Sequence, residues 1–159
     1  SDLQRTRNSA QFIGQQHGLE PVAYSELREL SFGTWEGMSV SEVEHNFPGQ
    51  MKKRMESVAT FQADGGETYR QLQARVIPKF EEIVALHPNE QIAMVCHGGV
   101  NRVILGHLLG IPMDRIFRIH QDYAALNVIQ YYDQEPVVEY IGNAELFASG
   151  KDEIKTAIQ

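Results

Sequence analysis

A short apolar run that ends in a histidine and a pair of glycines sets the tightest limit on the architecture. The run is 91–96, and His97-Gly98-Gly99 follows it before a helical pattern over Val100 to Leu109. Such a run predicts a buried strand. Amides at a helix start are unpaired and partly positive, so an anion is favoured there. The segment therefore predicts a strand–turn–helix unit that places His97 beside a phosphate-like ligand.

The remaining elements alternate between helices and strands. Apolar spacing and capping residues predict helices over Asp2 to His17, over Ser39 to Asn46 with a capping box at Ser39-Val40-Ser41-Glu42, over Glu67 to Leu86, and over Pro112 to Arg118. Short apolar runs predict strands at Pro21 to Tyr24 and at Leu126 to Tyr132 and Val137 to Ile141, the last two around an Asp133-Gln134-Glu135-Pro136 turn. We expect one layered α/β domain over residues 1–159, with a polar, weakly patterned tail after Asn143.

Two segments are expected to interrupt this regular pattern. Pro78 lies inside the long helix and should kink or break it, because proline lacks a backbone donor. The stretch from Phe47 to Gly66 is poorly patterned and could hold a mobile helix or a lid.

Composition excludes several classes of function. The net charge is −7 and no run of lysine or arginine occurs, so nucleic-acid binding is not expected. No apolar run approaches the roughly 20 residues that span a bilayer. Cys96 is the single cysteine, which excludes an internal disulfide and favours a reducing cytoplasm. The histidines lack metal-ligand spacing, and no P-loop or dinucleotide motif occurs, so neither a metal nor a cofactor is predicted.

Two further segments carry ionisable residues that suit phosphate chemistry. Arg5 or Arg7, at a predicted helix start, could present a guanidinium fork to a phosphate, or could simply be solvated. Glu29 and Glu36 compete for the role of a general acid in a loop that carries the single tryptophan. For that loop, the alternative is a packed surface segment without chemistry.

The last two candidate segments can also be interpreted as purely structural. Gly65-Gly66-Glu67-Thr68 could be a turn and a cap for the helix that follows. His97 could be a structural histidine, and Cys96 a small buried side chain or a modestly reactive thiol.

In this order, the four segments resemble the histidine phosphatase superfamily, also called the phosphoglycerate mutase-like family. The resemblance covers Ser1 to about Tyr132 and rests on Ser-Asp-Leu-Gln-Arg-Thr, Leu-Arg-Glu-Leu-Ser-Phe-Gly-Thr-Trp-Glu-Gly, Gly-Gly-Glu-Thr and Val-Cys-His-Gly-Gly-Val. It implies a three-layer α/β sandwich with a mostly parallel central sheet.

The resemblance also implies roles for individual residues. Arg5 is similar to the family's phosphate-clamping arginine, and Gly98 would bind the phosphoryl group from the helix start. Glu29 resembles the proton donor to the leaving oxygen. His97 resembles the second histidine of the phosphate pocket, which stabilises charge on the transferring group. No metal is implied.

One departure concerns the nucleophile, which in this family is the histidine of an Arg-His-Gly motif upstream of the segment that matches Ser1. The 159 residues contain no Arg-His-Gly. We expect the sequence to be truncated at its amino end, without the family's leading strand, helix and second strand. As it stands, the fragment is expected to be inactive.

The implied function is a phosphomonoesterase that acts through a phosphohistidine on a small phosphorylated metabolite, of the α-ribazole phosphate or sugar phosphate type. The segment between Glu29 and Gly65 is short, whereas cofactor-dependent mutases resemble one another in carrying a longer insertion there. Phe47 to Asp64 is the stretch expected to set specificity. A phosphoglycerate mutase and a non-catalytic phosphate-binding protein remain alternatives. A homodimer is the assembly that we expect.

Overall fold

The structure is a computed structural model that describes residues 1–133 and 135–143 of the chain. These residues form two compact units, the first over Ser1–Ile119 and the second beginning at His120. Two sequence predictions, Gln134 of the turn and the polar tail after Asn143, lie outside the described residues.

The first unit is built from helices joined by long loops. Its α-helices are α1 (Gln4–His17), α2 (Val40–Asn46), α3 (Gln50–Glu56), α4 (Tyr69–Leu86) and α5 (Gly98–Leu108), and its 3-10 helices are Ser25–Leu27, Gly33–Trp35 and Met113–Arg118. In the part of the chain that the structure describes, no helix is long and apolar enough to cross a membrane.

Capping residues account for where two of these helices begin. The Ser39 hydroxyl accepts a hydrogen bond from the Glu42 amide at 3.2 Å, and the Glu42 carboxylate accepts one from the Ser39 amide at 2.7 Å. This confirms the predicted capping box. Thr68 and Gln71 form an equivalent box at the start of α4, so the predicted turn and cap before that helix is also confirmed.

Pro78 does not break α4, and this part of the prediction was wrong. The helix runs unbroken over its 18 residues with Pro78 inside it. Pro78 is exposed, so the carbonyl of Ala74 that loses its partner faces the solvent side of the helix, where water can hydrogen-bond to it.

The main core of this unit lies between α4 and α5, which pack against each other. Leu72 and Val76 of α4 and Val100 and Val103 of α5 are fully buried. Ile116, from the third 3-10 helix, closes this core and is also fully buried.

A second apolar cluster organises the segment between residues 32 and 63. Trp35, Val43 and Ala63 are buried there, and the Trp35 ring centroid lies 6.3 Å from Phe47 and 5.2 Å from Phe61. The loop with the single tryptophan is therefore packed. Of the two interpretations of Phe47 to Gly66, a helix or a lid, the structure shows a helix, α3.

The second unit is a two-stranded antiparallel sheet. Strand β1 (Ala125–Tyr132) pairs with β2 (Glu135–Asn143), and the register shifts between Val128 and Ile129. Both predicted strands are confirmed.

The other two predicted strands, Pro21 to Tyr24 and 91–96, are not formed, so these predictions were wrong. Within residues 1–133 and 135–143, β1 and β2 make up the sheet that is present. A β-strand is stabilised by the hydrogen-bond ladder to a neighbour, which neither segment has among the described residues. His97 itself keeps extended backbone angles, with φ −130° and ψ 163°. The parallel central sheet stays a prediction.

Candidate active site

His97 stands at the entry to α5, as the N-cap residue of that helix. Its side chain is buried, with 7% of its surface exposed. The Nδ1 atom lies 3.1 Å from Nη2 of Arg5, and Nε2 lies 2.9 Å from Oγ of Ser1. The first turn of α1 and the start of α5 are thereby brought together, although 92 residues separate Arg5 from His97.

The contact with Arg5 determines which nitrogen of the His97 imidazole carries the proton. A guanidinium only donates hydrogen bonds, so Nδ1 of His97 must accept, and we assign the ring proton to Nε2. Burial, followed by the positive charge of Arg5, lowers the pKa of His97 to about 4. The imidazole is therefore neutral at pH 7 and offers one N–H donor.

Glu29 reaches the same helix start from the other side. Its Oε2 atom accepts a hydrogen bond from the Gly99 amide at 3.0 Å, and its Oε1 atom accepts one from the Leu30 amide at 2.8 Å. Glu36 is exposed and accepts a hydrogen bond from the Phe32 amide at 2.7 Å, within its own loop. Of the two competing carboxylates, the structure brings Glu29 to the start of α5, which His97 caps, and leaves Glu36 in a local turn.

The two glycines after His97 allow this close approach. A Cβ atom built on Gly99 would collide with Oε1 of Glu29, and one on Gly98 would lie 3.1 Å from Nη1 of Arg102. Gly98 is also the first residue of α5, so its amide belongs to the first helical turn, where amides lack helical partners.

Arg75 holds the loop that carries Glu29, a role that sequence reasoning missed. Its Nη1 atom donates to the carbonyls of Glu26 and Arg28 at 2.6 and 2.9 Å, and Nη2 donates to the carbonyl of Glu29 at 3.1 Å. Glu67 accepts from both Nε and Nη2 of Arg75 at 2.8 Å. The sequence contained one signal, since Arg75 follows Leu72 and precedes Val76 on the apolar face of α4.

Gly33 brings the same loop against the Gly65-Gly66 turn. Its φ is +53°, and a Cβ atom there would collide with the Asp64 carbonyl and the Gly66 amide. Two backbone hydrogen bonds join the segments, from Thr34 to the Asp64 carbonyl and from Glu67 to the Ser31 carbonyl, each 2.9 Å long. Glu67 thus helps to hold the loop that carries Glu29, in addition to lying next to the start of α4.

Cys96 precedes His97, but its thiol is not activated as a nucleophile. Burial raises the pKa of its thiol to about 11. At neutral pH the thiol stays protonated, and a protonated thiol is a poor nucleophile. This favours the prediction of a small buried side chain over that of a reactive one.

Together, these groups surround the start of α5 with a guanidinium, a neutral imidazole, a helix-start amide and a carboxylate. Such a set suits an anion whose leaving oxygen requires a proton. Among residues 1–133 and 135–143, no group of three or more His, Cys, Asp or Glu side chains could hold a metal ion.

Comparison with known proteins identifies the fold and the family. The sequence model of one family, the histidine phosphatase superfamily (branch 1), matches residues 1–144 of the chain. Phosphoserine phosphatase 1 of Hydrogenobacter thermophilus is 28% identical over 138 residues, which cover 87% of this chain and 65% of that protein. Glucosyl-3-phosphoglycerate phosphatase of Mycobacterium tuberculosis is 30% identical over 121 residues, which cover 71% of this chain and 54% of that protein.

A solved structure supports the same fold. The α-ribazole phosphatase of Shigella flexneri superposes with a TM-score of 0.78 at 18% identity, covering 89% of this chain and 70% of that one. The chain spans between about half and two thirds of the length of the curated relatives named above. It belongs to the histidine phosphatase superfamily and has that superfamily's α/β fold.

Proposed function

We propose that the protein is a phosphomonoesterase that removes phosphate from a small phosphorylated metabolite through a phosphohistidine intermediate. The observation that carries the proposal is the convergence of Arg5, His97 and Glu29 on the first turn of α5. These three groups bind an anion and supply a proton, which are the two requirements for breaking a phosphate ester.

In the first step, Arg5 and the amide of Gly98 bind the phosphoryl oxygens, and the Nε2–H of His97 donates to one of them. A histidine nitrogen forms a bond to phosphorus while the ester P–O bond breaks, and Glu29 gives its proton to the leaving oxygen. In the second step, water attacks phosphorus and Glu29 takes a proton from it. The P–N bond then breaks and free phosphate is released.

The attacking histidine is proposed to lie outside these 159 residues, in an Arg-His-Gly motif. None of the six histidines in the sequence stands in such a motif. Should the natural protein lack one, the alternative of a non-catalytic phosphate-binding protein would replace this proposal.

The substrate class is proposed from the relatives. Proteins named for phosphoserine, glucosyl-3-phosphoglycerate and α-ribazole phosphate are similar to this chain, and each of these is a small phosphorylated molecule. An α-ribazole phosphate or sugar phosphate type of substrate agrees with this set. The short segment between Glu29 and Gly65 favours hydrolysis over the mutase reaction. A cytoplasmic location, a homodimer and independence from metals stay predictions.

The test is release of free phosphate by the full-length protein from two esters, p-nitrophenyl phosphate and glycerol 3-phosphate. We expect His97→Gln to lower turnover of both by about 100-fold, because it weakens charge stabilisation on the phosphoryl group. Glu29→Gln should lower turnover of glycerol 3-phosphate by about 100-fold and of p-nitrophenyl phosphate much less, because nitrophenolate leaves without a proton.

Two variants control this experiment. Gly99→Ala should reproduce the ester-dependent pattern of Glu29→Gln, because the new methyl group displaces that carboxylate. Glu36→Gln should retain activity on both esters. Equal losses on the two esters in Glu29→Gln, or unchanged turnover in His97→Gln, would contradict the assigned roles.

A further inference from the structure

We infer that the ion pair between Asp2 and Arg28 positions Arg5 against His97, so that Asp2 and Arg28 are positioning residues for the proposed phosphate pocket. The inference rests on the proposed function and adds two residues to it, neither of which is proposed to touch the substrate. Asp2 lies just before the first turn of α1, which carries Arg5, and Arg28 directly precedes Glu29.

The ion pair between these two residues is bidentate. Nε of Arg28 donates to Oδ1 of Asp2 at 2.7 Å, and Nη2 donates to Oδ2 at 2.6 Å. Both carboxylate oxygens therefore bind one guanidinium, across 26 residues of sequence, in a parallel geometry that fixes a direction as well as a distance. These hydrogen bonds lower the pKa of Asp2, so its carboxylate is charged at neutral pH.

The backbone of Arg28 is anchored independently of Asp2. Its carbonyl accepts a hydrogen bond from Nη1 of Arg75 at 2.9 Å, and the carbonyls of Glu26 and Glu29 accept from the same guanidinium at 2.6 and 3.1 Å. The loop over residues 26–29 is therefore attached to α4. Because the Arg28 side chain extends from this anchored backbone, the ion pair ties the segment that carries Asp2 to a fixed point.

The start of α1 depends on contacts made by the residues that precede it. Its N-cap residue, Leu3, makes no side-chain capping hydrogen bond. Oγ of Ser1 lies 2.9 Å from Nε2 of His97. In the proposed mechanism Nε2–H donates to a phosphoryl oxygen, so the Ser1 contact is given up when the ligand binds. The contact of Asp2 with the loop persists and holds Arg5 in place.

The ion pair also balances a charge that would weaken anion binding. Burial lowers the pKa of His97 to about 4 and the negative charge of Asp2 opposes this lowering, so Asp2 lies within electrostatic range of the pocket. An unpaired carboxylate at that range would repel a phosphate dianion. The side chains of Arg28 and Asp2 are 54% and 25% exposed, so the pair contributes little to stability. Its effect is therefore expected in the placement of Arg5.

The experiment measures the dissociation constant of inorganic phosphate by calorimetry on the full-length protein. Asp2→Ala removes a negative charge and Arg28→Met removes a positive one, so charge alone predicts tighter binding in the first variant and weaker binding in the second. If the pair positions Arg5, both variants should bind phosphate at least about five-fold more weakly, because a misplaced guanidinium loses part of a charge-assisted hydrogen bond.

Combining the two substitutions tests whether Asp2 and Arg28 act as one unit. The double variant should bind phosphate within about two-fold of the weaker single variant, whereas independent effects would multiply. If circular dichroism shows that Asp2→Ala is unfolded, Asp2→Asn replaces it in both comparisons. Its expected loss is at least about three-fold, since an amide keeps one acceptor oxygen.

An exposed ion pair on α3 supplies matched controls. Lys52 and Glu56 lie 3.8 Å apart, with 81% and 61% of their side chains exposed. Lys52→Met and Glu56→Ala remove the same charges as the two test substitutions. Each should leave the dissociation constant of phosphate within about two-fold of the wild-type value.

Ester hydrolysis shows which group the ion pair positions. In Asp2→Ala, kcat/KM should fall by the same factor for p-nitrophenyl phosphate and glycerol 3-phosphate, because Arg75 and Gly99 still hold Glu29. A larger loss on glycerol 3-phosphate would overturn the inference, since it would assign the pair to Glu29 instead of Arg5.

Equal or tighter phosphate binding by Asp2→Ala would also overturn the inference, and so would losses that multiply in the double variant. The two proposals can be contradicted separately. The expected changes in phosphate binding, in a protein that hydrolyses neither ester, contradict only the phosphomonoesterase. Hydrolysis of both esters, with phosphate binding unchanged in Asp2→Ala, contradicts only the positioning role. A wild type that binds no phosphate contradicts both.

Discussion

The imidazole of His97 is held in one protonation state by its neighbours. Because Nδ1 accepts from Arg5, the proton on Nε2 is directed to Ser1 Oγ. A histidine of this kind donates a hydrogen bond to a phosphoryl oxygen while leaving the positive charge on the arginine. Binding a phosphate dianion would stabilise the imidazolium, so the ligand itself is expected to raise the pKa of His97.

This protonation state makes stability depend on pH. The pKa of His97 is about 4 in the folded protein, against about 6.5 for an unperturbed histidine. Between these values the unfolded chain binds a proton that the folded chain does not. The free energy of unfolding is fully retained above about pH 6.5 and is lost as the pH falls toward 4. From pH 7.5 to pH 5, the loss from this residue should be about 2 kcal/mol.

Urea unfolding at the two pH values checks this prediction. His97→Gln should lose less stability on acidification than the wild type, because the five other histidines are present in both proteins and cancel. The same pH dependence in both proteins would mean that His97 titrates normally.

Among the elements, α4 supports the site without contributing a reacting group. Arg75 projects from it to the carbonyls of Glu26, Arg28 and Glu29, and to the Glu67 carboxylate just before the helix. The pair is partly buried, with 26% of the Arg75 side chain and 16% of the Glu67 side chain exposed. The loop has no regular hydrogen-bond ladder of its own, so this side chain determines where Glu29 stands.

Arg75→Met should lower the free energy of unfolding by about 3 kcal/mol, because it leaves the Glu67 carboxylate unpaired in a partly buried place. Urea unfolding measures this, with Lys52→Met as an exposed control that should change stability by less than about 0.5 kcal/mol. Glu67→Gln in the Arg75→Met background should restore part of the loss. If the free energy of unfolding falls no further than in the control, the Arg75–Glu67 ion pair does not stabilise the fold.

At the scale of the whole molecule, the chain passes between its two units over residues that lie in neither a helix nor a strand. Tyr123 is fully exposed, at 102%, and Ala124 has a φ of +55°. A protease needs an accessible, locally unstructured backbone. Brief treatment with chymotrypsin should therefore make its earliest cut within residues 1–133 after Tyr123.

Mass spectrometry of the digest would identify the product that ends at Tyr123. Tyr123→Ser should abolish this cut and leave the cuts elsewhere unchanged. Early cleavage after Tyr69, which is 4% exposed, would instead indicate that the first unit opens readily.

Local rules explain much of what could be predicted. The capping box at Ser39, the end of α1 at His17 and the strands around Asp133 follow from interactions within a few residues, and sequence reveals these directly. The prediction of a strand over 91–96 was wrong, because a strand forms only when a neighbouring strand, often far away in sequence, provides hydrogen-bond partners. Pro78 does not break α4, because it is exposed and water can donate a hydrogen bond to the Ala74 carbonyl that lacks a backbone partner.

By itself, the sequence determined the order of the helices, the setting of His97 before α5 and the family to which the chain belongs, because each depends on short motifs. The chemistry of the residues left Glu29 and Glu36 as competitors and the family resemblance favoured Glu29, but only the tertiary structure shows that Glu29 reaches the Gly99 amide. The tertiary structure alone paired Arg75 with the loop and Asp2 with Arg28. These contacts join residues far apart in sequence, and the packing of helices, rather than any local pattern, sets their distances.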